Sequence, residues 1–193
     1  MTAISSAKTY SVADYLRIER ETGEKYAFYN GIIEKMAGGT ISHNRISRNV
    51  LALLFRALPK QAHLEVFGSD QKIYLPKFHY YVYADILVVA GEPLQTEDEA
   101  DAIINPILIV EALSPSTAQY DRNQKFLEYQ SLPSFKEYVL LRQDQPEALL
   151  FFREEPDMWR SSEVAGLEKE LRFRSIEVSL KMSAVYDKVF LNK

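Results

Sequence analysis

A chain of 193 residues that is 47% hydrophobic and 12% aromatic can bury a core, so disorder is excluded and one domain spanning 1–193 is the simplest organisation. The absence of cysteine excludes disulfides, thiolate metal sites and a cysteine nucleophile, leaving the oxygen and imidazole ligands that suit magnesium-type ions. A net charge of −4 argues against an indiscriminate nucleic-acid binder, and no run reaches the ~18 apolar residues of a membrane helix, so a cytoplasmic protein without membrane contact is expected.

Charge is unevenly spread: residues 1–60 hold nine Lys/Arg against five Asp/Glu, and residues 61–110 hold two against eight. Such asymmetry suits a phosphate-approaching surface beside a metal centre, or ordinary solvated faces. In chain order, Ser11 is a helix N-cap with Asp14 at the reciprocal box position, and Val12, Tyr15, Leu16 and Ile18 follow at helical spacing up to a stop at Gly23. Asn30-Gly31 then joins two short strands as a hairpin, with Glu34 on the second arm. An amphipathic helix is predicted over 43–58, apolar at Ile46, Val50, Leu53, Leu54 and Ala57, with His43, Arg45, Arg48 and Asn49 on its polar face and Pro59 ending it.

Four strands are predicted next, over 63–67, 71–76, 83–90 and 106–113, the last two continuously apolar as central strands are. A helix over 121–132 has Asp121 as N-cap, Gln124 at the box position, and Phe126, Leu127 and Tyr129 facing inward. Strands over 136–141, 147–154, 158–164 and 170–175, mostly half exposed, and a short helix over 183–190 complete a mixed α/β chain.

Two carboxylates interrupt this pattern. Alternation places Ile107, Ile109, Glu111 and Leu113 on one face of their strand, and Asp85 heads an equally apolar run. An unpaired buried carboxylate costs several kcal/mol, so each needs a cation, a proton or strong donors. If the two strands are neighbours, Asp85 and Glu111 converge, and oxygen ligands from two strands are what Mg²⁺ takes. Each is also readable as a strand cap or an arginine's partner. Lys125, on a helical stripe with Asp121 and Tyr129, could neutralise the pair or simply bridge to Asp121.

The order Asp85, then Glu111 in "IVEALSPST", then "DRNQKFLEYQSLPSFKEYVLL" resembles the Uma-two restriction-endonuclease group of the PD-(D/E)XK nuclease superfamily. "SVADYL", "YNGIIEKM" and "SHNRISRNVLALL" extend the likeness over residues 10–164. The resemblance implies a restriction-endonuclease-like mixed β-sheet flanked by α-helices, with a divalent metal at a strand end. It makes Asp85 and Glu111 the acidic ligands, joined by the Ala112 carbonyl and by Glu34, and gives Lys125 the catalytic lysine's role. The simplest superfamily pattern places that lysine where Leu113 stands, so here the following helix must deliver it, with the 114–117 turn bringing the chain back. His43 matches a family position of undefined role, and Ala84 stands where a proline is expected. The function implied is Mg²⁺-dependent phosphodiester hydrolysis of DNA, with Mn²⁺ substituting; a second copy of the chain is an open partner. The alternative is a non-catalytic nucleic-acid-binding or protein-interaction module on the same scaffold, dependent on Arg45 and Arg48.

Overall fold

Helix α1 (Val12–Thr22) starts with the expected capping box: the Ser11 hydroxyl accepts from the Asp14 N–H while the Asp14 carboxylate accepts from the Ser11 N–H. The computed structural model describes residues 9–58, 63–98, 100–114 and 118–189; Pro59 and most of the 114–117 turn lie outside them. Strands β1 (Tyr26–Tyr29) and β2 (Ile32–Lys35) form the predicted hairpin, with Asn30 and Gly31 at φ 45° and 100°, the left-handed values that favour this residue pair. Helix α2 (Ile41–Ala57) begins two residues earlier than its apolar pattern, because the Thr40 hydroxyl caps it by accepting from the His43 N–H.

Strands β3 (Leu64–Gly68), β4 (Lys72–Leu75), β5 (Tyr80–Tyr83), β6 (Ile86–Ala90), β7 (Ala102–Ile103) and β8 (Pro106–Leu113) follow. Helices α3 (Ala118–Arg122) and α4 (Gln124–Tyr129) lead to β9 (Glu137–Arg142), β10 (Glu147–Glu155), β11 (Met158–Ala165), β12 (Glu170–Phe173), β13 (Val178–Lys181) and α5 (Met182–Val185). The central sheet has the order β11-β10-β9-β8-β6-β3, antiparallel except between β8 and β9. A second sheet, β2-β1-β5-β4-β7, and the β12-β13 pair complete the strands. Parallel neighbours need a crossover. Helices α3 and α4 supply it between β8 and β9, which brings the chain back over the sheet.

One face of the central sheet packs Val88, Leu108, Val110 and Val139 against Ile46, Val50 and Leu54 of α2 and against the β12-β13 pair. The other face packs Leu87, Ile109 and Leu140 against Phe126 and Tyr129 of α4, the aromatic residues Phe135 and Tyr138, and Ile73 and Val82 of the second sheet. Helix α1 covers that second sheet, setting Tyr15 and Leu16 against Phe28 and Tyr81.

Several expectations are corrected. The run over 83–90 is not one strand: Tyr83 ends β5 in the second sheet, and β6 begins at Ile86 in the central one. The helix over 121–132 breaks at Asn123, so Asp121 is a buried residue within α3 rather than a cap. Leu127 is 57% exposed, because a six-residue helix lying on the sheet buries one side only, here through Phe126 and Tyr129. Strand β9 is buried rather than half exposed, since it lies between β8 and β10 with both faces covered. Strands β5, β7 and β13 were not predicted, and the C-terminal helix is a single turn.

Candidate active site

The switch between sheets delivers Asp85 to its position. It lies in the two-residue connection between β5 and β6, and the antiparallel register of β6 with β8, Ile86 opposite Val110, puts it beside Glu111. The two residues lock each other. The Ala112 N–H donates to Asp85 Oδ2 at 2.7 Å, and the Asp85 N–H donates to Glu111 Oε2 at 3.4 Å. Both carboxylates therefore stand at the same end of the central sheet, Glu111 near the carboxyl end of β8 and Asp85 just before β6.

Helix α4 places Lys125 on Glu111. Its Nζ lies 2.6 Å from Glu111 Oε1 and 3.6 Å from Asp121 Oδ1, and 5.9 Å from the centre of the Tyr129 ring. The Tyr129 hydroxyl donates to Glu111 Oε1 at 3.3 Å. Lys125 thus meets one member of the expected carboxylate pair, Glu111, and also bridges to Asp121, with Glu111 the closer.

Helix α2 contributes from the opposite face, its first turn reaching round the strand ends. His43 Nε2 lies 3.0 Å from Asp85 Oδ2. The ring packs so tightly on Gly39 that a Cβ there would fall 2.5 Å from His43 Nδ1, so the loop before α2 needs a residue without a side chain.

Burial governs the protonation equilibria. It raises Glu111, as do the charges of Asp85 and Asp121, while Lys125 opposes them, and the outcome is a carboxyl pushed up to about 7. Burial works against the Lys125 ammonium, but the facing Glu111 overcomes it and holds the lysine well above its ordinary value. The hydrogen bond to Asp85 raises His43 against the opposing effect of burial. A carboxyl that burial holds near neutrality beside a second carboxylate is a place where a cation would be favoured. The donor set is chemically suited to a hard divalent ion: two carboxylates, and the backbone carbonyl of Ala112, the residue that follows Glu111. Among the described residues no group of three or more His, Asp and Glu side chains is arranged to hold a metal, so protein ligation would rest on this pair and on main-chain oxygen.

A family model described as "Putative restriction endonuclease", Uma2, matches residues 12–183. The chain belongs to the Uma2 family. Among relatives, the uncharacterized protein sll1609 of Synechocystis sp. is 32% identical over 178 residues, covering 92% of this chain and all of that protein. A second uncharacterized Synechocystis protein, slr1290, is 30% identical over 176 residues, covering 91% of this chain and 90% of its own length. The fold is shared with the crystal structure of "a putative nuclease belonging to DUF820" from Anabaena variabilis, at a TM-score of 0.70 and 13% identity, over 87% of this chain and 93% of that one.

In this Uma2 chain the structure brings together Asp85, Glu111, Ala112 and Lys125 and adds His43. It does not gather Glu34. That residue stands exposed on β2, where its charge acts on Tyr29, as does the charge of Lys125. Sequence reasoning left His43 without a role, and it missed Gly39 and the Tyr129 hydroxyl as parts of the site. The "GGTISH" spacing carried a weak signal, because a small residue four positions before a helix N-terminal histidine leaves room for the ring to fold back.

Proposed function

We propose that this Uma2 protein is a divalent-metal-dependent endonuclease that hydrolyses phosphodiester bonds in DNA, with Mg²⁺ as the ion and Mn²⁺ able to replace it. The observation that supports the reading best is the meeting of Asp85, Glu111 and Lys125, from three different elements, at one end of the central sheet. Asp85, Glu111 and the Ala112 carbonyl would hold the ion, which supplies Lewis acidity toward the phosphoryl oxygens when bound. Glu34 is left out of the ligand set because it stands exposed on β2 and no group of three acidic or histidine side chains is gathered for a metal among the described residues.

The chain's own groups do the rest. Lys125 keeps its proton at Nζ and presents fixed positive charge in a buried setting, where it offsets negative charge gathering on the phosphate and orients an attacking water. The Tyr129 hydroxyl and the His43 ring each hold one carboxylate in place, so that neither has to be reoriented during the reaction. A second reading, a non-catalytic nucleic-acid-binding module, draws on the Lys125–Glu111 contact itself, which satisfies the glutamate without an ion.

The test is cleavage of plasmid and single-stranded DNA in Mg²⁺ or Mn²⁺ by the wild-type protein, Asp85→Ala and Lys125→Ala. Loss of at least about 100-fold in either variant is expected for a charge-stabilising group of this kind, and calorimetry should show Mn²⁺ binding that disappears in Glu111→Ala. Equal behaviour of wild type and variants, with no Mn²⁺ uptake, would favour the non-catalytic module.

A further inference from the structure

The 17 residues of α2 contain Arg45, Arg48 and Arg56 and not one Asp or Glu, within a chain whose net charge is −4. The helix buries Ile46, Val50 and Leu54, and its exposed side carries Asn44, Arg48, Ala52, Phe55 and Arg56. These fall three or four residues apart, so they form one stripe along the helix. Its N-terminal end is anchored at the carboxylate pair, since His43 points inward to Asp85. From His43 the stripe runs outward: at 1.5 Å per residue Arg48 lies about 7.5 Å along the axis and Arg56 about 20 Å. With 3.4 Å of rise per nucleotide of a strand, that length corresponds to about six nucleotides of duplex.

We infer that the exposed face of α2 is the track on which the phosphate backbone of duplex DNA lies, with Arg48 and Arg56 contacting phosphates on one side of the scissile position. The inference rests on the nuclease reading and deepens it, by naming where the substrate strand runs. Charge complementarity selects a polyanion. The helix itself contributes cations and no acid to the stripe, while Asp187 shares a cleft with Asn49 and Ala52 on the α5 side. The direction of the stripe selects a long ligand, because a small anion would engage only one of two arginines eight residues apart. Such contacts add affinity without base preference.

The experiment is fluorescence anisotropy with a labelled DNA duplex in the absence of divalent ions, over a series of salt concentrations. The full chain, Arg48→Ala/Arg56→Ala and Arg160→Ala are compared; Arg160 is an exposed arginine on β11, ion-paired with Glu154. The double variant should bind about tenfold more weakly, and the slope of log affinity against log salt should fall by about 1.8, which is the loss of two phosphate contacts. Arg160→Ala should match wild type. A double variant with wild-type affinity and slope overturns the track, as does displacement of the duplex by polyglutamate as readily as by unlabelled DNA. Cleavage in Mg²⁺ is scored separately. Arginine-dependent binding without cleavage removes the nuclease reading and leaves α2 as a DNA-binding surface, whereas cleavage with arginine-independent binding removes the track alone.

Discussion

Glu111 is 6% exposed and lies near two other carboxylates, so the ammonium of Lys125 carries a structural duty as well as the proposed catalytic one. Removing one partner of a buried ion pair strands the other, at a cost of roughly 3–5 kcal/mol, whereas replacing both with neutral groups is often tolerated. Lys125→Met should therefore destabilise the protein by about 3 kcal/mol in urea unfolding. The double variant Lys125→Met/Glu111→Gln should recover a clear part of that loss although it is equally inactive in cleavage. Strict additivity of the two substitutions would show that the pair is not coupled. The same residue explains what was legible at this scale. A carboxylate within an eight-residue apolar strand is visible in the sequence because its cost is local and large. The contact between His43 and Asp85 was not visible, because it joins residues 42 positions apart through a helix packed on the opposite face of the sheet.

At the scale of elements, the entry to α2 decides whether His43 reaches Asp85. Gly38 and Gly39 are adjacent and look equivalent in sequence, yet a Cβ at 38 meets nothing within 4 Å while one at 39 runs into the His43 ring. Gly39→Ala must displace either the ring or the loop, and overpacking of this kind costs about 1–3 kcal/mol; Gly38→Ala should be neutral to within about 0.5 kcal/mol. Urea midpoints of the two variants test this, and equal shifts would mean that the loop yields freely. Element boundaries show the same division between local and distant causes. Caps and turns such as Ser11 with Asp14 and Asn30 with Gly31 were readable because the deciding atoms lie within four residues. The change of strand between Tyr83 and Ile86 was not, since only tertiary pairing reveals that the chain leaves one sheet there and enters another. The six-residue α4 escaped the same kind of reading: a window of helical periodicity does not register a break at Asn123.

For the molecule as a whole, the β12-β13 pair shares no strand ladder with the central sheet and is held to it by apolar packing and by Glu137. This fully buried carboxyl on β9 accepts from the Arg174 N–H at 3.0 Å, the Ser175 N–H at 2.8 Å and the Ser175 hydroxyl at 2.7 Å. Burial nonetheless raises its pKa above the ordinary 4.5, the donors only partly offsetting the loss of water. A carboxyl whose folded pKa exceeds its unfolded one binds its proton more tightly when folded, so its contribution to stability is complete below pH 4.5 and is lost as pH rises through the folded pKa. Glu137→Gln removes this titration. It also turns an amide N–H₂ toward backbone donors, so at low pH the variant should be less stable by roughly 1–3 kcal/mol. The difference between wild type and Glu137→Gln should thus be largest at and below pH 4.5 and narrow as pH increases, because only the wild type loses stability through this group. Comparing the two proteins by urea unfolding at a series of pH values cancels the other titrating groups, Glu111 included. A gap that widens with pH would mean that the three donors outweigh burial, and that the ionised carboxylate is what pins the β12-β13 pair to the sheet.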